Sequence, residues 1–504
     1  MRNLPYIIAS AAVAVAALLL GVLYWGTSEP GASQTAKKLT VYVAAGLREP
    51  MEQIARDYEQ EFGVQIAFQF NGSGALLSSI RAADEGDLFV PADLQYAEQA
   101  RAFERIDDLV PIASQTLVIG VRKGNPKKIS SPADLLRDDV RVSLPSPKVA
   151  AAGKVAQEIL SGEQREGKSL WSAIEARQLT TRDTVNAVAN DLKTDTADAA
   201  FLWDATADQY PELEAVRFAK FDAKPTRIVA AVLTTAKSKP AAWHFARYLS
   251  ARDRGLKTWA SKGYKVVEGD AWADRPEITL FSGGVMRPAV EQLVADFESR
   301  EGVDIVPTFN GCGILLGQIK TGASPDIYFA CDTSFLQPVA EQFRASKEVS
   351  DTKLCIITAK GNPKRVNSAA DLAQPGLKVG ICRAEHSACG YLTKQHLDAL
   401  GLWDAVQPNV TDTPATADRL VEHVVIGSME AAIVYVANTT RQLDKLEVIP
   451  LEGVGTTAVQ PIAIASKSKY PELAGRLERH LRAAKARQIF EQFGFHWRGE
   501  KVAP

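Results

Sequence analysis

The first half of this sequence contains no cysteine, because all five cysteines of the 504-residue chain fall in its second half. An odd count leaves at least one thiol unpaired, so disulfides are not the general stabiliser of the fold. The chain has no basic stripe and a formal net charge of only −2, which argues against a nucleic-acid partner. Its six histidines form no nucleophile–base pattern, and phosphate loops and dinucleotide fingerprints are absent. The sequence therefore predicts neither an enzyme nor a cofactor.

A long apolar stretch stands at the beginning of the chain. Residues 4–25 carry no charge, follow Arg2, and are long enough to cross a bilayer as a helix. Tyr24 and Trp25 lie where an interfacial aromatic belt is expected. We predict a single N-terminal transmembrane helix in the inner membrane, with a cleaved signal peptide as the alternative. Either interpretation places the rest of the protein in the extracytoplasmic space.

An internal duplication organises the remainder of the chain. The segment from Leu39 reads LTVYVAAGLREPMEQIARDYEQEFGVQIAFQFNGSG, and it aligns without a gap to ITLFSGGVMRPAVEQLVADFESREGVDIVPTFNGCG from Ile278. GDLFVPAD then pairs with PDIYFACD, and KGNPKKI pairs with KGNPKRV. A repeat of this length is a whole domain rather than a solenoid unit. We predict copies at 38–270 and 276–504, preceded by an anchor and linker at 1–37.

Predicted strands and helices alternate within each copy. LTVYVAA is a short run of β-forming residues, and the following MEQIARDYEQEF has apolar residues at helical spacing. This alternation predicts parallel sheets covered by helices, an α/β fold. TLVIGVR is expected to leave the first sheet for a second one, and TRIVAAVLTT is expected to return. The pattern therefore predicts two α/β lobes joined by a hinge in each copy.

The order of these motifs resembles the molybdate-binding component of ABC transporters, within the type II periplasmic binding proteins. The resemblance is carried by AAGL after the first strand, FNGSG after the second, then DLFVPAD, KGNP and the late ADAAFLW. It implies two tandem type II domains that capture a small inorganic oxyanion, molybdate or tungstate first, for an ABC permease in the inner membrane. Sulfate or a metal ion as ligand, and a membrane-tethered sensor as the role, stay open as alternatives.

The resemblance also implies a cleft lined by hydroxyl groups and backbone N–H donors. Strands that end in glycine-rich loops before helices suit this chemistry, because helix N-termini offer unpaired N–H groups and small residues allow close approach. In the first copy the ligand-binding residues implied are Ala45, Gly46, Gly72, Ser73, Gly74, Ala152 and Trp203. In the second copy they are Gly284, Val285, Gly311, Cys312, Gly313, Cys389 and Tyr435.

Both clefts depart from the family pattern. Ser73 keeps the hydroxyl implied for the second loop, whereas the second copy has Cys312 there. The serine implied for the first loop is Gly46 in one copy and Val285 in the other. The implied cleft tyrosine is a tryptophan in the first copy and Tyr435 in the second. The second copy therefore departs further.

Two other groups of side chains have open alternatives. The resemblance places Cys312 and Cys389 on the second cleft, where three interpretations are open. They are ordinary small buried residues, they take part in a disulfide such as Cys382–Cys389, or they form a soft-metal or thiol-reactive site. Arg48 stands at a helix N-terminus, where a cation is mildly unfavourable, so we expect either a salt bridge to Asp87 or a bound anion to offset it. Its counterpart Arg287 has the same two alternatives, with Asp326 as the bridge.

Overall fold

The computed structural model of the protein describes residues 38–165, 167–177 and 180–499. The predicted anchor falls on residues 1–37 and lies outside the described part of the chain. No described helix is long and apolar enough to cross a membrane. The described chain has the predicted α/β character, with one topology occurring twice in succession.

The first copy has two lobes, each built on one sheet. Its strands are β1 Lys38–Ala44, β2 Gln65–Asn71, β3 Leu88–Val90, β4 Ile106–Gln115, β5 Leu117–Arg122, β6 Val142–Pro145, β7 Gln164–Arg165, β8 Lys168–Ser169, β9 Thr180–Arg182, β10 Ala199–Trp203, β11 Leu213–Val216, β12 Thr226–Leu233 and β13 Lys265–Val266. Its α-helices are Arg48–Phe62, Ser73–Ala82, Leu94–Ala102, Ala151–Ser161, Leu170–Glu175, Val185–Lys193, Asp204–Asp208, Ala219–Asp222, Lys239–Ser250 and Gly255–Ser261. The first-lobe sheet has the order β13-β4-β12-β3-β1-β2, and the second-lobe sheet has the order β11-β5-β10-β6-β9.

The second copy repeats this topology. Its strands are β14 Glu277–Gly283, β15 Asp304–Asn310, β16 Ile327–Phe329, β17 Lys347–Ala359, β18 Val379–Gly380, β19 Val410–Asp412, β20 Ala431–Tyr435, β21 Leu446–Pro450, β22 Thr457–Ile464 and β23 His496–Trp497. Its α-helices are Arg287–Glu301, Cys312–Lys320, Thr333–Leu336, Ala388–Ala399, Trp403–Val406, Asp418–Val425, Val436–Thr439, Pro471–His480 and Ala484–Gln492. The strand order is β15-β14-β16-β22-β17-β20-β18-β19, with β21 and β23 also paired to β17.

The first-lobe sheets are mixed rather than parallel, which corrects one prediction. β1 is parallel to β2 and β3, but β12 is antiparallel to β3 and β4. β12 comes back from the second lobe, so it enters the sheet from the opposite end. β22 does the same in the second copy, where it is antiparallel to β16 and β17. The predicted departure and return of the chain between two lobes are confirmed.

The strand that crosses between the lobes differs between the copies. In the first copy it is interrupted at Thr116, whose N–H donates to Oδ1 of Asp204 over 2.9 Å. The N–H of Asp204 donates in turn to the carbonyl oxygen of Thr116. In the second copy Val436 follows Tyr435 as Asp204 follows Trp203, so no carboxylate is available there, and β17 runs unbroken through both lobes.

Helix ends follow local sequence signals. Asp93 caps the helix Leu94–Ala102 by accepting from the N–H of Gln95, and Asp332 plays the same part in the second copy. The helix Arg48–Phe62 ends at Gly63, whose φ of 68° is a left-handed conformation that glycine adopts without strain. Both aspartates accept from the second residue of their helix, as N-cap residues commonly do.

The two copies meet through a buried cluster of charges. Glu301 is fully buried, and its Oε2 lies 3.0 Å from Nη2 of Arg476, which is 1% exposed. Arg247 of the first copy donates to the backbone oxygen of Glu301 over 2.6 Å. At the same junction Asp270 accepts from the N–H groups of Glu472 and Leu473. The copies therefore share an ordered, partly ionic interface between their first lobes.

Candidate ligand site between the lobes

A small cavity lies between the lobes of the first copy. Its volume is about 20 Å³, which is enough for a water-sized group and too small for most organic solutes. The residues that line it carry no charge. They are Ala44, Ala45, Gly46, Asn71, Gly72, Ser73, Ala92, Ala150, Ala151, Thr184, Val185 and Trp203.

Three α-helices begin at this cavity. The helix Ser73–Ala82 follows Gly72, and the helix Ala151–Ser161 follows Ala150. Neither of these N-cap residues has a side chain that accepts from the first N–H groups of its helix. The helix Val185–Lys193 comes from the second lobe as well. The first N–H groups of a helix have no partner inside it, and the helix dipole is positive at that end. The arrangement therefore favours an anion although no cationic side chain lines the cavity.

Two hydroxyl groups at the cavity are oriented by backbone donors. Oγ of Ser73, a residue 1% exposed, accepts from the N–H of Ala92 over 3.1 Å. Oγ1 of Thr184 accepts from the N–H of Ala187 over 3.2 Å. A hydroxyl group that accepts one hydrogen bond can still donate its own proton. Both side chains can therefore donate to an anion.

The lobes are closed on each other around the cavity. The N–H of Gly74 donates to the carbonyl oxygen of Val149 in the second lobe over 2.9 Å. A Cβ on Gly72 would lie 2.3 Å from that same oxygen and 2.7 Å from the carbonyl oxygen of Asp183. These distances are too short for a side chain, so the glycines permit the contact between backbone segments.

A further hydrogen-bonded chain connects the lobes beside the first loop. The hydroxyl of Tyr264 donates to the carbonyl oxygen of Gly46 over 3.0 Å, and both residues belong to the first lobe. Nε2 of Gln209, in the second lobe, donates to the same hydroxyl over 3.3 Å. In the second copy Phe495 follows Gly494 as Tyr264 follows Gly263, so this chain exists only in the first copy.

The second copy has the same backbone arrangement with different side chains. Cys312 is fully buried, and its Sγ accepts from the N–H of Cys331 over 3.0 Å, as Ser73 accepts in the first copy. The N–H of Gly313 donates to the carbonyl oxygen of His386 across the cleft over 3.0 Å. Tyr435 is 2% exposed, and its hydroxyl has no hydrogen-bond partner among the described residues.

Both copies match the same protein family. The sequence model of the family of bacterial extracellular solute-binding proteins matches this chain twice, over residues 39–265 and 278–496. The chain belongs to this family. Each match spans both lobes of one copy, so this solute-binding protein carries the family domain in duplicate.

The chain is also similar to molybdate-binding proteins, each over less than half of its length. The molybdate-binding protein ModA of Mycobacterium tuberculosis is 28% identical over 223 residues, which are 43% of this chain and 84% of that protein. ModA of Escherichia coli is 22% identical over 249 residues, 45% of this chain and 92% of that protein. The solved periplasmic molybdate-binding protein of Azotobacter vinelandii is 16% identical, covers 46% of this chain and all of its own, and superposes with a TM-score of 0.39.

The structure places the implied residues of the first copy in two groups. Ala45, Gly46, Gly72, Ser73 and Trp203 line the cavity. The remaining two do not line it. Gly74 lies at the contact between the lobes, and Ala152 is buried one residue inside a helix whose first residue, Ala151, lines the cavity instead.

Sequence reasoning missed the contribution of Thr184 and Val185. The signal was a threonine N-cap before VNAVANDLK, a stretch with apolar residues at helical spacing. Nothing local in the sequence indicated that this helix begins opposite the glycine loops, because that proximity depends on closure of the lobes.

The implied residues of the second cleft are also divided. Gly311 and Gly313 contact the second lobe, as their counterparts do. The thiol of Cys389 instead faces the carbonyl oxygen of Ile433 at 3.7 Å inside the second lobe. A hydrogen bond with Cys382, together with burial, raises the pKa of this thiol.

Val285 and Gly284 lie at a neighbouring cavity of about 290 Å³ together with Asp418 and Arg441. All five cysteines of the chain are buried free thiols, so the alternative of a Cys382–Cys389 disulfide is not formed in this structure. Among the residues described, no three His, Cys, Asp or Glu side chains are grouped so that they could hold a metal ion.

The expected salt bridges of the two loop arginines are not found. Arg48 pairs with Glu52 at 3.0 Å, and its guanidinium lies 3.8 Å from the ring centroid of Phe70. Asp87 accepts from the N–H groups of Thr40 and Lys237 instead. Arg287 likewise pairs with a glutamate one helical turn further on rather than with Asp326. Both arginines form salt bridges, but the partners expected for them were wrong, because Asp87 and Asp326 accept from backbone donors of their own lobe.

Proposed function

We propose that the first copy captures a small tetrahedral oxyanion, with molybdate or tungstate as the first choice, and delivers it to an ABC permease. One observation carries the proposal: three helices begin at the cavity, and the residues that line it carry no charge. The relatives named as molybdate-binding proteins point to the same class of ligand.

The chemistry of the cavity distinguishes among anions. Ser73, Thr184 and the helix N-termini can all donate hydrogen bonds to a ligand, and no carboxylate lines the cavity. A protonated oxygen needs an acceptor, so an anion that keeps a proton at neutral pH leaves that group unsatisfied when buried. The site should therefore prefer molybdate, tungstate or sulfate over hydrogen phosphate.

Ligand binding would stabilise the closed arrangement of the lobes. The oxyanion would contact helix ends from both lobes at once, so its affinity for the closed state exceeds that for the open state. The anchor predicted from the sequence would keep both copies close to a membrane permease and raise their local concentration there.

The proposal is tested by titrating the full-length chain with molybdate, tungstate, sulfate and phosphate. We expect molybdate and tungstate to raise the melting temperature of the protein and to bind with measurable heat, since a ligand that binds only the folded state stabilises it. Phosphate should give the smallest shift. Equal stabilisation by phosphate, or no shift with any of the four anions, would contradict the proposal.

A matched pair of variants assigns the site to the first copy. Gly72→Val places a side chain against Val149, 2.3 Å from its carbonyl oxygen, and should abolish oxyanion binding by preventing closure. Gly311→Val makes the corresponding change against His386 in the second copy and should leave the oxyanion affinity of the first copy unchanged. Loss of oxyanion binding in Gly311→Val but not in Gly72→Val would place the site in the second copy and contradict the proposal.

A further inference from the structure

Two thiols lie side by side at the first-lobe face of the second cleft. The N–H of Cys331 donates to Sγ of Cys312 over 3.0 Å. A Cβ on Gly283 would lie 2.0 Å from Sγ of Cys331 and 3.1 Å from Sγ of Cys312. The two sulfurs therefore flank one atomic position, and the two thiols hydrogen-bond to each other.

The first copy has other residues at Cys312, Cys331 and the neighbouring Gly283. Its residues at the three corresponding positions are Ser73, Ala92 and Ala44. The methyl group of an alanine at position 283 would overlap with Sγ of Cys331, so the second cysteine requires the glycine. Three linked differences therefore convert a serine site into a dithiol, whereas a cysteine at position 312 alone would need neither of the other two.

The other thiols of the second copy are placed differently. Cys382, Cys389 and Cys355 belong to the core of the second lobe, where an oxidant reaches them only if that core opens. Cys312 begins a helix whose next residue, Gly313, bonds to His386 across the cleft. Cys312 therefore lies next to the contact between the lobes, at the end of the dithiol that lobe separation would open to solvent.

We propose that Cys312 and Cys331 form a reversible thiol–disulfide site that a disulfide oxidant reaches when the lobes of the second copy separate. The family is extracellular, and disulfides form and persist in oxidising compartments. One thiolate attacks a sulfur of the oxidant and releases one thiol from it. The other thiolate then displaces the second thiol and closes the Cys312–Cys331 bond. The two electrons pass to the oxidant, and the two cysteine protons end on its thiols.

The test uses oxidised glutathione on the full-length chain, followed by alkylation under denaturing conditions, trypsin digestion and mass spectrometry. Cleavage after Arg300, Lys320 and Arg344 places the two cysteines on separate peptides, 301–320 and 321–344. We expect these peptides to be joined after oxidation and separated by dithiothreitol. Free, alkylated Cys312 and Cys331 after oxidation, or a disulfide that joins only Cys382 to Cys389, would overturn the proposal.

Two variants test the role of the pair and of lobe opening. The double variant Cys312→Ser with Cys331→Ala restores the residues of the first copy. Oxidation should raise the melting temperature of the second copy by roughly 5–10 °C in the native chain and by nothing in this variant. Gly313→Ala would place a Cβ 2.0 Å from the carbonyl oxygen of Glu385, so it should hold the lobes apart and speed oxidation. An unchanged oxidation rate in Gly313→Ala would refute gating by the lobes.

Discussion

Ser73 illustrates how a single side chain can serve both the fold and a ligand. Its oxygen accepts from the N–H of Ala92, and its proton can still be donated to a bound anion. In the second copy the sulfur of Cys312 holds the corresponding N–H at nearly the same distance. The structural half of the role is therefore retained in both copies, while the donor presented to the cleft changes from a hydroxyl to a weak thiol donor.

Replacement of Ser73 by alanine should weaken oxyanion binding. We expect a loss of about 0.5–1.5 kcal/mol, the usual net contribution of one hydrogen bond. Calorimetric titration of the full-length chain with molybdate measures it. Ser79→Ala is the matched control, because the Ser79 hydroxyl is exposed and bonds only to Ala75 within its own helix. If Ser73→Ala binds as tightly as the unchanged protein, Ser73 does not contact the ligand.

At the scale of elements, the short C-terminal strand β13 brings Tyr264 against the first ligand loop. The hydroxyl of Tyr264 bonds to Gly46 in its own lobe and to Gln209 in the other. The second copy has phenylalanine there, so its closed state lacks this link. Closure of the first copy is therefore supported by a hydrogen-bond chain as well as by any ligand.

Tyr264→Phe should lower the affinity of the first copy for its oxyanion by about 2- to 10-fold, because the closed state loses one interlobe hydrogen bond. Fluorescence or calorimetric titration of the full-length chain is the measurement. Tyr210→Phe provides the control, since the Tyr210 hydroxyl bonds to Asn186 within the second lobe. Equal affinities in Tyr264→Phe and the unchanged protein would show that this link does not contribute to closure.

The second-lobe sheet depends on an ion pair with a defined pH response. A hydrogen bond from Arg141 holds the pKa of Asp198 below its usual value. The carboxylate therefore stabilises the fold above its unfolded pKa of about 3.9, and this contribution is lost as the pH falls through the lower folded value. The same carboxylate accepts from the backbone N–H of Arg141 at the start of β6.

Asp198→Asn should accordingly reduce the free energy of unfolding at neutral pH, and the deficit should shrink in acid. Urea midpoints measured near neutral pH and again at about pH 3 give the comparison. The exposed pair of Asp138 with Arg177 supplies the control variant Asp138→Asn, for which little change is expected at either pH. A deficit that is the same at both pH values would contradict the ionic explanation.

The whole molecule is a pair of binding domains joined by a buried charge cluster rather than by a free linker. Arg476 and Glu301 are both essentially inaccessible, and Arg247 reaches the same glutamate from the first copy. A buried charge that loses its partner is much more costly than an exposed one. The two copies are therefore held together at their first lobes by this interface.

Glu301→Gln should lower the free energy of unfolding by about 3–5 kcal/mol, since it leaves Arg476 buried without a full countercharge. Urea unfolding followed by tryptophan fluorescence measures the change. Asp304→Asn, which breaks the exposed pair with Arg275, is the control and should cost less than about 1 kcal/mol. Similar losses in the two variants would mean that the buried cluster contributes no more than a surface pair.

The sequence by itself determined the duplication, the two-lobed α/β copies, the aspartate caps and the glycine loops at the cleft. Each of these depends on local pattern: strand and helix periodicity, capping residues, and positions where only glycine allows close backbone approach. The antiparallel return of β12, which made the sheets mixed, was not encoded in any local pattern.

The tertiary structure alone decided which groups meet across the cleft. Thr184 and Val185 reach the cavity because the two lobes close on each other. Cys331 joins Cys312 within the first lobe of the second copy, and Cys389 faces Ile433 within its second lobe. The charge cluster at Glu301 likewise assembles from both copies. Such contacts depend on the relative placement of separate elements, and periodicity along the chain carries no information about that placement.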